Sequence, residues 1–508
     1  MSVARTWSVA LVGLEGAVVE VEADLSRQLP DFRIIGLPDK SLGEAVQRVH
    51  NACANCALAL PRRRITVNLS PASLPKHGSG FDVAIAVAAL ATDGLLDRAS
   101  VAETAHLGEL GLDGRLRPVP GILPAVLAAA KARIRQVVVP VANRAEAELV
   151  SGVRVIAAAH LAEVARLHGA EVDDPELPTA PATAAPPTDP TTPDLADVIG
   201  QQDAVEALIV AAAGGHNLLM TGPPGVGKTM LARRLPGILP ELDEAAALTV
   251  ASIRSLSGES VTRLDRTPPF EAPHHSASIA ALVGGGSRVV RPGAIARASE
   301  GVLFLDEAGE HSGGTLDALR QPLESGTITI HRAGFVATFP ARFQLVLATN
   351  PCPCGNHGVR GAECICTPMA IRRYLGRLSG PLLDRIDIES SVTRVAVART
   401  RGDVDAVTTA SARERVRTAR ARAAARLTET PWRTNSAVSG VWLRQGPCAP
   451  APSVRRPLDA ALQRGAITLR GYDRVLRVAW SIADLAGRER LESDDIGRAL
   501  YLKKGLRG

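Results

Sequence analysis

The stretch Asn217 to Leu235, NLLMTGPPGVGKTMLARRL, constrains the fold more than any other part of the chain. An apolar run that reads as a strand leads into Gly222-x4-Gly227-Lys228-Thr229, and helical periodicity follows. Glycines at this spacing let backbone N–H groups close around phosphates. The lysine reaches the β- and γ-phosphates, and the threonine hydroxyl ligates magnesium. Gly222, Pro223, Pro224, Gly225, Val226, Gly227, Lys228 and Thr229 are therefore the expected binding loop for ATP with Mg2+.

Such a loop needs a neighbouring strand that brings carboxylates to the metal. GVLFLDEAGE supplies one: Val302 to Leu305 read as a buried strand that ends in Asp306 and Glu307. Asp306 is expected to hold Mg2+ and Glu307 to polarise the attacking water. A third apolar strand, FQLVLATN, ends in Asn350, a polar group placed to orient water or sense the γ-phosphate. Three strands ending in polar groups describe an α/β fold, a doubly wound parallel sheet with its ligand at the carboxyl ends.

The chain has 508 residues, 46% of them hydrophobic and 22% charged, enough for two to four domains. Glu171 to Pro193, EVDDPELPTAPATAAPPTDPTTP, lacks apolar periodicity and reads as a linker. Upstream, TWSVALVGLEGAVVEVEADLS alternates around a glycine turn like paired strands. The expected division is an N-terminal α+β domain over 1–168, a linker over 169–193, an ATPase core over 194–398 and a helical region over 399–508. With no charged-then-apolar leader and no run near the ~18 apolar residues of a membrane helix, a cytoplasmic location and no membrane partner are expected. The net charge of +6 is too small to establish a nucleic-acid partner by itself.

Four of the seven cysteines fall in NPCPCGNHGVRGAECICTP, as the pairs Cys352/Cys354 and Cys364/Cys366. Disulfides are disfavoured in a reducing cytosol. The two pairs could close a tetrahedral thiolate site of the kind Zn2+ prefers, with His357 as a substitute ligand; free or redox-labile thiols are the alternative. A closed loop is expected to position the helix after it, MAIRRYLGRLSG, while ATP binding rests on the glycine-rich loop.

DLADVIGQQDAVEAL, GPPGVGKT, FLDE, ATNP and SGPLLDRIDI, in this order, resemble the motifs of an AAA+ ATPase. More narrowly, PFEAPHHSASIAALVGGG, NPCPCG and LRGYDRVLRVAWSIADLAG resemble the YifB/ComM group of magnesium-chelatase-type AAA+ proteins. The N-terminal RTWSVALVGLEGAVVEVEADLS, RRRITVNLSPASLPKHGSGFDVAIA and LGELGLDGRLRPVPG match that group too. The resemblance implies that Val198, Ile199 and Gly200 line the adenine pocket. It also implies that Arg385 is an arginine finger acting on a neighbour's γ-phosphate, hence a hexameric ring. In a C-terminal helical lid, Arg470 would be the sensor-2 arginine, with Arg474 as substitute. Arg470, Arg474 and Arg477 share one helix face by their i, i+4, i+7 spacing. The same resemblance supports Zn2+ on the four cysteines.

This chain departs from the group at Glu271, where arginine is usual, and in EAGEH after Asp306, where ELPEF is usual. The N-terminal domain resembles the proteolytic domain of Lon and the matching domain of RadA. In PKHGSGFD, however, Gly80 stands where the nucleophilic serine would fall and Ser79 is off register by one, so a noncatalytic domain is expected.

SGTITIHRAGFVATFPARF alternates like a hairpin, with His331, Arg332 and Gly334 near its tip. In the related MCM and Holliday-junction motors a hairpin at this point reaches into the ring's pore, and a basic tip suits a phosphate backbone. SARERVRTARARAAARL carries Arg413, Arg415, Arg417, Arg420, Arg422 and Arg426, which read as a solvated helix or a DNA clamp. The expected function is thus an ATP-driven hexameric motor on branched or single-stranded DNA, a helicase or branch migrator in recombination or DNA uptake. The alternative is a chelatase-like or chaperone-like remodeller of a protein or metal-insertion partner.

Overall fold

The computed structural model describes residues 3–36, 40–173, 193–286, 290–332, 335–359, 361–394 and 406–503. Its central sheet has five parallel strands in the order Phe270–Glu271, Val302–Leu305, Gln344–Thr349, Leu218–Thr221, Ile388–Ser391. All four residues of Val302–Leu305 are buried, as expected of a parallel strand covered on both faces. Alternation along the strands sorts their side chains into two layers. Leu218, Met220, Val302, Phe304, Val346 and Ala348 face a core shared with Val205, Leu208 and Ile209 of the helix Gln202–Gly214, and with Val475, Leu476 and Ala479 of the helix Leu469–Ala486. Leu219, Leu303, Leu305, Leu345 and Leu347 face a second core containing Ile295, Leu316, Ile330 and Phe339. Each fully buried leucine or phenylalanine stabilises this arrangement by roughly 1.5–3 kcal/mol.

The N-terminal region forms a seven-stranded mixed sheet in the order Asp31–Ile35, Arg64–Ser70, Glu15–Ser26, Ala4–Val12, Thr104–His106, Gln136–Pro140, Arg154–Ala158. Ala4–Val12 and Glu15–Ser26 form the antiparallel hairpin expected from their alternation. The helix Asp82–Ala91, apolar but for Asp82, is buried along its whole length. The Arg48 guanidinium offsets the burial that pushes the Asp82 carboxyl up to about 6, donating from Nε at 2.6 Å and from Nη2 at 3.0 Å.

This sheet docks on the ATPase core through its hairpin turn. Leu11 and Leu14 pack into the second core, and at Gly13, φ +65°, a Cβ would stand 2.5 Å from the Thr338 carbonyl oxygen. Only glycine permits that approach. The Gly121 N–H also donates to the Ser255 carbonyl at 3.1 Å. Of the expected linker, 174–192 lie outside the described residues.

Five helices, Thr409–Arg426, Gly440–Gln445, Pro452–Gln463, Leu469–Ala486 and Ser493–Lys503, make up the C-terminal region. The arginine-rich helix Thr409–Arg426 keeps a solvated face, on which Arg413, Arg417 and Arg422 are exposed, but its arginines already have partners within the chain. Arg413 donates to the Gly237 carbonyl at 2.7 Å, and Arg415 is bidentate to Glu206 at 2.9 and 3.0 Å. Arg420 donates twice to the Ala212 carbonyl, Arg422 donates to the Asp484 carbonyl, and Arg426 is held by Asp484 and Asn435 over the Trp480 ring. Arg417 alone pairs within its own helix, with exposed Glu414. Five of the six arginines therefore staple this helix to its neighbours. Among the described residues no helix is long and apolar enough to cross a membrane.

Candidate nucleotide-binding site

Leu218–Thr221 ends where the glycine-rich loop begins, and the helix Lys228–Ala232 opens directly after it. Gly225 and Gly227 take φ of +76° and +93°, which turns the loop back on itself. Its lining with Lys228, Thr229, Asp306, Glu307, Thr349 and Asn350 forms a cleft of about 370 Å³ at the carboxyl ends of three strands. Lys228 Nζ donates to the carbonyls of Gly222 at 2.6 Å and Pro223 at 2.9 Å, and to Asn350 Oδ1 at 3.0 Å. Burial lowers its pKa, while Asp306 and Glu307 oppose that shift. Thr229 Oγ1 donates to Asp306 Oδ2 at 2.6 Å, so two oxygen ligands suited to Mg2+ converge at the mouth of the loop.

Glu307 adopts φ +49°, in the left-handed region a non-glycine residue rarely occupies. The tight turn is closed by Ala308 N to Ala348 O at 2.7 Å and Glu310 N to Glu307 O at 2.6 Å. His275 Nδ1 stands 3.0 Å from Glu307 Oε2, with the His274 ring tilted 35° against the His275 ring at a centroid distance of 4.1 Å.

The departures from the family pattern have local partners. Gly309 allows Tyr374 to lie against the turn, since a Cβ there would fall 2.3 Å from Tyr374 Cζ. Buried His311 places Nε2 3.2 Å from the Asp306 carbonyl oxygen. Glu271 pairs with Arg297 through Nε and Nη2, both at 3.1 Å.

Val198, Ile199 and Gly200 stand beside the loop rather than in the cleft lining. Gln201 Nε2 ties their segment to the Val226 carbonyl at 3.5 Å and the Thr393 carbonyl at 2.5 Å. No spacing in the sequence marks Gln201, His275 or Tyr374, which meet the site only through the fold.

The four cysteine sulfurs lie within 4.8 Å of one another, and among the described residues no other such group of potential metal ligands occurs. Cys352 and Cys354 are 3.3 Å apart, and each is 3.7 Å from Cys364. A tetrahedron with Zn–S bonds of about 2.3 Å has S–S edges of roughly 3.8 Å, so the donor set fits that ion. His357 contributes its backbone N–H to Cys352 Sγ at 3.3 Å, and its ring is not among the grouped ligands.

Arg385 and Arg470 are brought together with each other and not with the nucleotide loop. They line a separate cleft of about 340 Å³ with Glu324, Asp384, Asp473, Arg474 and Arg477. Arg385 donates from Nη1 to the Pro381 carbonyl at 2.6 Å and pairs with Glu324, not with the adjacent acids. Arg470 Nη1 is 3.9 Å from Asp384, and Arg474 Nε is 3.5 Å from Asp387. In the parallel register Leu218 pairs with Ile388 and Thr221 with Ser391. Arg385 thus precedes the amino ends of the strands, while the glycine-rich loop follows their carboxyl ends. A four-residue strand separates the two by at least about 10 Å.

A parallel sheet with a glycine-rich loop, a magnesium-type Thr–Asp pair, an adjacent glutamate and a strand-end asparagine defines an AAA+ ATPase. Three family models match: "Magnesium chelatase, subunit ChlI" over 194–400, "Subunit ChlI of Mg-chelatase" over 21–143, and "Magnesium chelatase, subunit ChlI C-terminal" over 406–503. An uncharacterised protein of Mycobacterium tuberculosis is 48% identical, covering 99% of both chains. Competence protein ComM of Haemophilus influenzae is 41% identical over 100% of this chain and 98% of its own, and YifB of Escherichia coli 40% identical over 96% and 94%. The chain belongs to the YifB/ComM-like magnesium-chelatase-type proteins.

Proposed function

We propose that the protein is an ATP-hydrolysing ring motor, a hexamer that acts on branched or single-stranded DNA in the cytoplasm. One observation supports the ring: the nucleotide cleft and the Arg385–Arg470 cleft stand at opposite ends of the same strands, an arrangement that suits Arg385 to a neighbour's nucleotide and not to its own. Lys228 and the loop amides bind phosphate, Asn350 aligns the γ-phosphate and water, and Glu307 accepts the water's proton. Thr229 and Asp306 hold Mg2+, which neutralises phosphate charge. Arg385, with Arg470 beside it, stabilises negative charge developing on the neighbour's γ-phosphate. The four cysteines hold one Zn2+ as a structural site. The N-terminal region serves as a noncatalytic, Lon-like module, a reading that rests on Gly80 standing where the nucleophilic serine would fall.

DNA as substrate draws on the Haemophilus relative, whose name is that of a competence protein, and on the Thr327–Arg332/Phe335–Pro340 hairpin. His331 is exposed near its tip; the side chain of Arg332 and residues 333–334 lie outside the described ones. The arginine helix no longer supports this reading, since its cations are used internally. A chelatase-like or chaperone-like remodeller is the second reading, favoured by the three ChlI models. The test is the ATPase rate with forked, single-stranded and no DNA. Stimulation by DNA, strongest with forks, is expected; a rate indifferent to DNA turns the conclusion to the remodeller.

A further inference from the structure

Gly355 sits in the first turn of the cysteine loop, with φ +80° and its N–H on the Cys352 carbonyl at 3.0 Å. It is buried against the glycine-rich loop, where a Cβ would stand 2.4 Å from Pro224 Cδ. On the incoming side, Cys352 follows two residues after Asn350, whose Oδ1 accepts from Lys228. On the outgoing side, Thr367 Oγ1 caps the helix Pro368–Leu375 by accepting from Ala370 N at 3.3 Å, and that helix lays Tyr374 on Gly309 in the turn that presents Glu307. The loop and its helix therefore touch the ends of three strands: the phosphate loop, the asparagine and the carboxylate turn. This differs from the expectation that the loop serves mainly the helix after it.

We propose that the four-thiolate loop is a wall of the nucleotide cleft, and that a zinc-type ion held by it sets nucleotide affinity by fixing Gly355 on Pro224 and Tyr374 on Gly309. The inference rests on the reading that the glycine-rich loop binds ATP and the cysteines bind metal. Without the ion nothing crosslinks the four sulfurs, and the freed loop gains conformational entropy. Pro224, exposed on its other side, then loses the surface it rests on.

The test is equilibrium binding of a fluorescent ADP analogue at fixed Mg2+, on full-length protein purified anaerobically. Zinc-loaded, metal-stripped and zinc-reloaded samples are compared, with zinc counted by elemental analysis. Stripping is expected to weaken binding about 10–100-fold, the range for loss of groups that orient a site from behind it, and reloading to restore it. Gly355→Val is expected to keep about one zinc per chain, the count for a four-ligand site, yet bind the analogue as weakly as stripped protein. Its readout therefore does not depend on whether stripped protein stays folded. Equal affinity in loaded and stripped protein, or wild-type affinity in Gly355→Val, overturns the proposal. So does protein that takes up no zinc, though nucleotide binding would then still stand. Failure of the loaded protein to bind the analogue at all overturns both this proposal and the ATPase reading beneath it.

Discussion

Lys228 and Glu307 line one cleft but face different parts of a nucleotide. Lys228→Ala removes the cation that would leave the Gly222 and Pro223 carbonyls to pair with the β- and γ-phosphates, so tight ATP binding should be lost in an equilibrium titration. Glu307→Gln keeps the volume and the phosphate contacts. It should bind ATP normally while turnover falls roughly 100-fold or more, the scale of a lost general base. Normal turnover in that variant would remove Glu307 from the mechanism. These residues were legible in the sequence because Glu307 follows an apolar strand and Lys228 follows another through the glycine-rich loop, and a buried strand announces itself by composition. The sequence leaves unmarked the contacts that lie outside these motifs. Lys228 and Asn350 are separated by 122 residues and were joined by motif order alone. His275 on Glu307, Gln201 on Val226 and Gly355 on Pro224 belong to no local pattern.

Among the elements, the helix Thr409–Arg426 was legible as partly solvated but not as a staple, since six arginines say nothing about carbonyls and carboxylates that the fold supplies from other segments. Arg426→Ala would strand the buried Asp484 carboxylate and should cost about 3 kcal/mol, read as a lower denaturation midpoint. Arg417→Ala, whose partner is exposed, should leave the denaturation midpoint nearly unchanged. Neither should alter DNA affinity measured in the folded range. A second element, the strand Thr104–His106, carries a pH dependence. Thr6 Oγ1 donates to the Thr104 carbonyl at 2.9 Å, so it accepts from His106 Nδ1 at 2.7 Å, leaving His106 Nε2 to accept from His168 Nε2 at 2.9 Å. Burial, with His168 beside it, lowers the His106 pKa well below the usual histidine value, and burial lowers that of His168 too. The unfolded chain then takes up protons first. The contribution is complete above about pH 6.5 and is lost as pH falls below that value toward the folded pKa values. Protection factors of the 104–106 amides, which divide out the intrinsic chemical rate, should fall between pH 7.5 and 5.5; no change would show the pair is not coupled to opening.

At the scale of the whole molecule, the strands of the central sheet separate a phosphate site at one end from an arginine cleft at the other. Arg385→Ala should bind ATP and hydrolyse it poorly. Mixed with Lys228→Ala chains, it should recover part of the lost activity, because each defect lies on a different face of the subunit. Failure of co-assembled chains to recover any would mean Arg385 serves only its own subunit. Of the seven-stranded N-terminal sheet only the first hairpin was legible, and its seat on the Thr338 carbonyl through Gly13 was not, since glycine in a hairpin turn reads first as turn chemistry. The position of Arg385 ahead of its strand has one more consequence. If every cleft is completed by another chain, rate per mole of protein is not a constant of the molecule: it should fall on dilution, steeply once rings dissociate, while nucleotide affinity per chain stays nearly level.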